Sequence, residues 1–131
     1  MSSTQLRNGE RARPFVAVVC AVPLLGEAVR AALDFADVRS FAATSGDIAG
    51  LVRWLGPDVL IVDNEAVAEQ AVAFAREREL PVLHISVQDP VLRLYRRGAW
   101  EILGTGEDVT PEASRNVVAG LLFARRDEVS T

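Results

Sequence analysis

Apolar positions along this chain follow two alternating rhythms. Short apolar runs rich in β-branched residues recur at 15–21, 59–62 and 81–87, with a weaker one at 38–43, and a further strand is expected at 99–103. Between them lie longer stretches in which apolar residues return every three or four positions. The first pattern predicts strands buried on both faces, the second amphipathic helices. Pro23 suits a first helical turn, and Leu24, Leu25, Ala28, Val29, Ala32 and Leu33 continue at helical spacing to about Phe35. Thr44, Ser45 and Asp47 are capping residues before a short helix carrying Ile48, Leu51, Val52 and Leu55, stopped by Gly56-Pro57. An alanine-rich helix is expected over about 66–78, with Val67, Ala71, Val72 and Phe74 or Ala75 turned inward. Asp89-Pro90 reads as an N-cap with proline at N1, opening a helix with Val91, Leu92, Leu94 and Tyr95 that ends at Gly98. A loop spans 104–108. Thr110-Pro111-Glu112 then starts a last helix that runs to about Arg126: capping hydroxyl, proline at N1, acid at the positive end of the dipole.

Five strand–helix units with short connections predict one α/β domain, a parallel sheet with helices on both faces. The domain is expected over 15–126, after a polar leader at 1–14 and before a polar tail at 127–131.

Composition narrows the functional classes. The net charge of −4 implies no general affinity for nucleic acid or an anionic membrane. All 14 basic residues are arginine. Cys20 is the single cysteine, so an internal disulfide and a cysteine-based zinc site are excluded. His84 is the single histidine and lies in an apolar strand-like run, which reads as a core position. Arg11 and Arg13 before the apolar stretch 15–25 resemble a secretory signal. That stretch is too short to span a membrane, is broken by Pro23, and has Val19 where a lipoprotein cleavage box would not. The chain is therefore expected to be cytoplasmic, with no metal and no cofactor.

The run 57–64, Pro-Asp-Val-Leu-Ile-Val-Asp-Asn, places Asp63 at the carboxyl end of the central strand, the edge where open α/β sheets hold ligands. This run, Val19-Cys20-Ala21-Val22-Pro23-Leu24-Leu25, Ser86 and Gly98-Ala99 together resemble the receiver domain of bacterial response regulators over about 15–126. The resemblance implies a flavodoxin-like three-layer α/β/α domain with a five-stranded parallel sheet in the order 2-1-3-4-5. It also implies phosphoryl transfer to Asp63, with a magnesium ion held by that aspartate and an acidic pair ending strand one. A lysine ending strand five and a hydroxyl ending strand four complete the family's site. Here Ser86 supplies the hydroxyl, Cys20 and Ala21 replace the acidic pair, and Thr105 stands for the lysine. The aromatic switch position holds Ile102. A carboxylate attacks a phosphoryl dianion poorly without cation charge, and one carboxylate holds magnesium poorly. The expectation is a degenerate receiver that does not run the phosphorylation cycle. Asp63 then reads as a helix cap or an acceptor for loop N–H groups, and Cys20 as a small core residue.

The last helix is apolar on more than one side, through Val117, Val118, Ala119, Leu121, Leu122, Phe123 and Ala124. A sheet-covering helix needs one apolar stripe, so a second face is left to cover. In receivers the face of the fourth helix, fifth strand and fifth helix is a common association surface. The resemblance puts Arg93, Arg97, Trp100, Arg115, Ala119 and Phe123 there, and arginine and tryptophan are enriched at binding hot spots. The first expectation is a stand-alone, non-enzymatic interaction module with a protein partner or a second copy. The alternative is a small-ligand sensor with a pocket lined by Cys20, Asp63, Ser86 and Thr105. A flavodoxin-like enzyme is disfavoured, because no glycine-rich loop follows the first strand.

Overall fold

The computed structural model describes residues 13–42 and 48–130. Residues 1–12 of the expected leader, the capping residues Thr44, Ser45 and Asp47, and Thr131 lie outside the described residues. Among the described residues, six strands and four α-helices follow one another as β1 (Phe15–Cys20), α1 (Pro23–Ala32), β2 (Asp37–Ala42), α2 (Ile48–Leu55), β3 (Val59–Val62), α3 (Glu65–Arg78), β4 (Val82–Ser86), β5 (Val91–Arg96), β6 (Ala99–Thr105) and α4 (Pro111–Ser130). A short 3-10 turn, Gly106–Asp108, joins β6 to α4. The last helix continues past the expected end at Arg126. No helix among the described residues is long and apolar enough to cross a membrane.

The sheet order is β2-β1-β3-β4-β5-β6. The first four strands in that order pair in parallel, as the βα rhythm requires, and β4–β5 and β5–β6 pair antiparallel. This corrects the expected five-stranded, all-parallel, flavodoxin-like sheet. The segment expected as a fourth helix, from Pro90 to Gly98, is instead β5 and its turn. Apolar residues at 91, 92, 94 and 95 satisfy a helical period, but they equally bury a strand from both sides. Leu92 and Leu94 point to one face of the sheet, and Tyr95 is buried on the other. A helix carries one buried stripe and would not separate Leu94 from Tyr95 in this way. The strand expected at 99–103 is therefore sixth, with β5 between it and β4.

Arg97-Gly98 closes the hairpin. Both residues have positive φ, 57° and 82°, as a two-residue turn matched to strand twist requires. A Cβ on Gly98 would meet nothing within 4 Å, so only backbone conformation opposes a side chain there. Gly98→Ala is expected to lower stability by about 1 kcal/mol. Gly120, inside α4 with equally open space and no positive φ, gives the opposite sign: Gly120→Ala is expected to add about 0.5–1 kcal/mol. Urea denaturation of the two variants checks both.

Two cores sandwich the sheet. On one face α1 and α4 bury Val18, Ile61, Leu83, Leu92 and Leu94 with Val29, Leu33, Val118 and Leu121. On the other, α2 and α3 cover Ala17, Val19, Leu60, Val62 and Val82, and reach as far as Tyr95. Beyond Tyr95 the helices among the described residues no longer cover the α3 face of the sheet. Trp100 is half-buried at the margin, and Ile102 is 66% exposed.

Candidate functional site

At the carboxyl edge, β1 and β3 lie side by side with Val19 opposite Val62, which brings Asp63 up against the β1–α1 loop. Its Oδ1 accepts from the Ala21 N–H at 2.8 Å, and its Oδ2 from the Ala21 and Val22 N–H groups at 3.0 Å each. Val22 is the N-cap of α1 and has no side-chain cap of its own, and Pro23 follows at the first helical position. The carboxylate thus takes two successive backbone donors at a helix N-terminus, where negative charge is favoured. Capping of the next helix falls to Asn64, whose Oδ1 accepts from the Ala66 and Val67 N–H groups at 2.8 and 3.3 Å.

The other edge residues do not gather round Asp63. Cys20 points into the α1 side of the core and is 6% exposed. Burial, and then the Asp63 carboxylate, push its thiol pKa up, with a hydrogen bond to the Gly26 backbone opposing them. A thiol so placed stays protonated and is a poor nucleophile. Ala21 offers only its backbone. Ser86 ends β4, but Thr105 pairs with Val91 of β5, which itself pairs with Ser86. One whole strand separates them, about 10 Å at the usual spacing. The inserted strand thus removes Thr105 from the position that the resemblance implies. A magnesium ion does not fit here: the acidic pair is missing and Asp63 already holds backbone donors. No group of three or more His, Cys, Asp or Glu side chains able to hold a metal ion occurs among the described residues.

Ser86 instead borders a cavity of about 260 Å³ between the end of β4, α1 and the start of α4, walled by Leu25, Val29, Ile85, Val87 and Pro90. The nearby hydroxyls are engaged locally. Thr110 Oγ1 accepts from the Ala113 N–H at 3.0 Å, and Ser114 donates to the Thr110 carbonyl at 3.2 Å.

The six residues expected on one association surface fall on two sides of the molecule. Arg115, Ala119 and Phe123 lie on α4. There Arg115 sits over the Phe35 ring, 5.6 Å from its centroid, and Phe123 tilts against the same ring at 6.0 Å. Phe35 therefore covers part of the second face of α4. Arg93 and Trp100 lie across the sheet on the α3 side, and Arg97 is in the hairpin turn. Because β5 is a strand, no face composed of a fourth helix, fifth strand and fifth helix exists.

On the α3 side the hairpin builds an ordered cluster. Arg93 pairs with His84 across the β4–β5 ladder and donates its Nε–H to His84 Nδ1 at 2.9 Å. Its guanidinium then lies over the Trp100 ring, 4.1 Å from the centroid. Trp100 meets Tyr95 edge-on at 5.3 Å, and Arg76 of α3 donates to the Tyr95 hydroxyl at 3.4 Å. Sequence reasoning missed this cluster because Arg93 was assigned to a helix face. The signal that would have found it is Arg97-Gly98, a turn dipeptide between two β-prone runs.

Accepting from Arg93 requires Nδ1 of His84 to be unprotonated. Burial, and next the Arg93 charge, lower the His84 pKa, while Glu65 and Asp63 oppose. The unfolded chain then binds a proton more readily than the folded one. Stability is expected to be full above the ordinary histidine pKa of about 6.5 and to fall as pH drops through the lower folded value. No other histidine contributes. Thermal melts from neutral to mildly acidic pH check this, because His84→Gln, which can still accept from Arg93, flattens the dependence.

Compared with protein-family models, curated proteins and solved structures, the chain matches none.

Proposed function

We propose that this chain is a receiver-like interaction module that works without phosphorylation and docks a protein partner on the α3-side face of the β5–β6 hairpin. The observation that carries the reading is the Arg93–Trp100 stack, held by His84 on a stretch of sheet that no helix among the described residues covers. Aromatic and arginine side chains fixed before binding lose little conformational entropy on association and dominate interface energetics. The engaged state of Asp63 supports the phosphorylation-independent half of the reading.

Affinity capture from a lysate of the source cells tests it, with wild type, Trp100→Ala and Phe123→Asp as baits. Proteins retained by wild type and Phe123→Asp but lost with Trp100→Ala are expected. Retention by Trp100→Ala with loss on Phe123→Asp would move the surface to α4 and contradict the proposal. Light scattering over a concentration series covers the second-copy case: a dimer broken by Trp100→Ala makes the partner another copy.

The cavity beside Ser86 favours a second reading, a sensor for a small apolar ligand. Val22, Leu24 and Val87 leave exposed apolar surface on the same edge of the sheet. Stabilisation by a metabolite in a thermal-shift screen, lost on Val87→Asp, would support it.

A further inference from the structure

We infer that the hairpin face is a receptor for an extended acidic segment of a partner protein, which adds as a strand to β6 and places a carboxylate on Arg93. This rests on the reading of that face as a docking surface.

Arg93 uses Nε on His84 and its π face on Trp100, and its two Nη groups have no hydrogen bond or ion pair among the described residues. Arg76, on the same side, donates to a phenol and likewise has no carboxylate partner there. The chain carries 18 acidic residues against 14 arginines. The Arg93 guanidinium, fixed by His84 and Trp100 and without a carboxylate partner among the described residues, leaves a positively charged donor on this face. A guanidinium fork fixed in orientation with its Nη side open is shaped for bidentate carboxylate. The Arg93 guanidinium lies over the ring of Trp100, which stands on β6, the strand at the free edge of the sheet. Glu101, the acid on β6, pairs opposite Leu94 and so points to the other face.

The edge itself supplies the backbone half of recognition. β6 is terminal in the sheet and is straight over 99–102. The register then slips, with Arg93 opposite Ile102 but Leu92 opposite Gly104, so Leu103 is extra. Such a bulge blunts an edge and limits pairing to the stretch next to Trp100. An added strand gains ladder hydrogen bonds there and lays alternate side chains beside Trp100 and Arg93. A second copy is the poorer occupant. Antiparallel self-pairing over 99–102 with matched faces centres on Trp100 or on Glu101. The first sets two Trp100–Arg93 stacks side by side, and the second sets Glu101 opposite Glu101. Both oppose like charges.

A displayed library of short random peptides, selected on the full-length chain, tests the inference. Enriched sequences are expected to carry Asp or Glu at alternate positions. Their affinity is expected to drop roughly tenfold or more on Arg93→Gln, with partial rescue by Arg93→Lys, and to weaken with added salt. Enriched sequences without acidic excess, or affinity indifferent to Arg93→Gln, overturn it. If those sequences still lose binding on Trp100→Ala, the docking face stands and only the acidic partner falls. If no enriched peptide depends on Trp100, both fall. Should Arg93→Gln fail to fold, Arg93→Lys, which keeps the charge but not the fork, carries the comparison: affinity equal to wild type then contradicts the bidentate contact.

Discussion

Asp63→Ala is expected to destabilise the fold by about 2 kcal/mol, and Asp63→Asn by less. The carboxylate accepts from the Ala21 and Val22 N–H groups across the β1–β3 boundary, at 2.8–3.0 Å. Hydrogen bonds to a charged group are worth about 1.5–3 kcal/mol each, but two reductions apply. Ala21 and Val22 are exposed, so water replaces part of the loss, and one carboxylate shared by two neighbouring donors does not count twice. Negative charge at the N-terminus of α1 adds a few tenths of a kcal/mol. Asparagine keeps one acceptor oxygen and gives up the charge. Urea midpoints at constant slope report the difference. An unchanged midpoint in Asp63→Ala would mean that the carboxylate is not holding the loop.

Leu94→Ala is expected to cost about 3 kcal/mol, within the 2–5 kcal/mol range of buried leucine truncations. Leu94 is 3% exposed and packs in the core under α1 and α4. On β6, Ile102→Ala is expected to stay within about 0.5 kcal/mol, because Ile102 is 66% exposed. The comparison reads the topology directly. If 91–96 were a helix over a five-stranded sheet, the run from 99 would be a covered strand, and truncating Ile102 would cost several times more. Equal and large losses in the two variants would contradict the hairpin.

The parallel half of the sheet was legible because three of its four strands, β1, β3 and β4, are largely apolar runs rich in valine and isoleucine, and helical spacing follows each of the first three strands. Pro23 and Thr110-Pro111 each stand at a helix N-terminus in the structure, whereas the cap of α3 is Asn64 and not Asp63. The antiparallel half was not legible, for a specific reason. Asp89-Pro90 suits a helix start and a turn alike, and Val91, Leu92, Leu94 and Tyr95 fit both periods. Length was the missed discriminator: six residues between Pro90 and Arg97 make a short helix but an ordinary strand. That one choice carried the site with it. It moved Thr105 a strand away from Ser86, parted Arg93 and Trp100 from α4, and hid the contact between Arg93 and His84. Asp63 could be assigned to the carboxyl edge from its position after Val62. Its backbone partners could not, because they depend on how β1 and β3 align.

Asp63, engaged by the Ala21 and Val22 N–H groups, serves as a structural acceptor and is not expected to be a phosphoacceptor. The measurement is an intact-mass spectrum after incubation with a small-molecule phosphodonor and magnesium, on wild type and Asp63→Asn. The predicted result is unmodified protein in both. A phosphoryl adduct on wild type that disappears in Asp63→Asn would contradict the account and make the chain a working receiver.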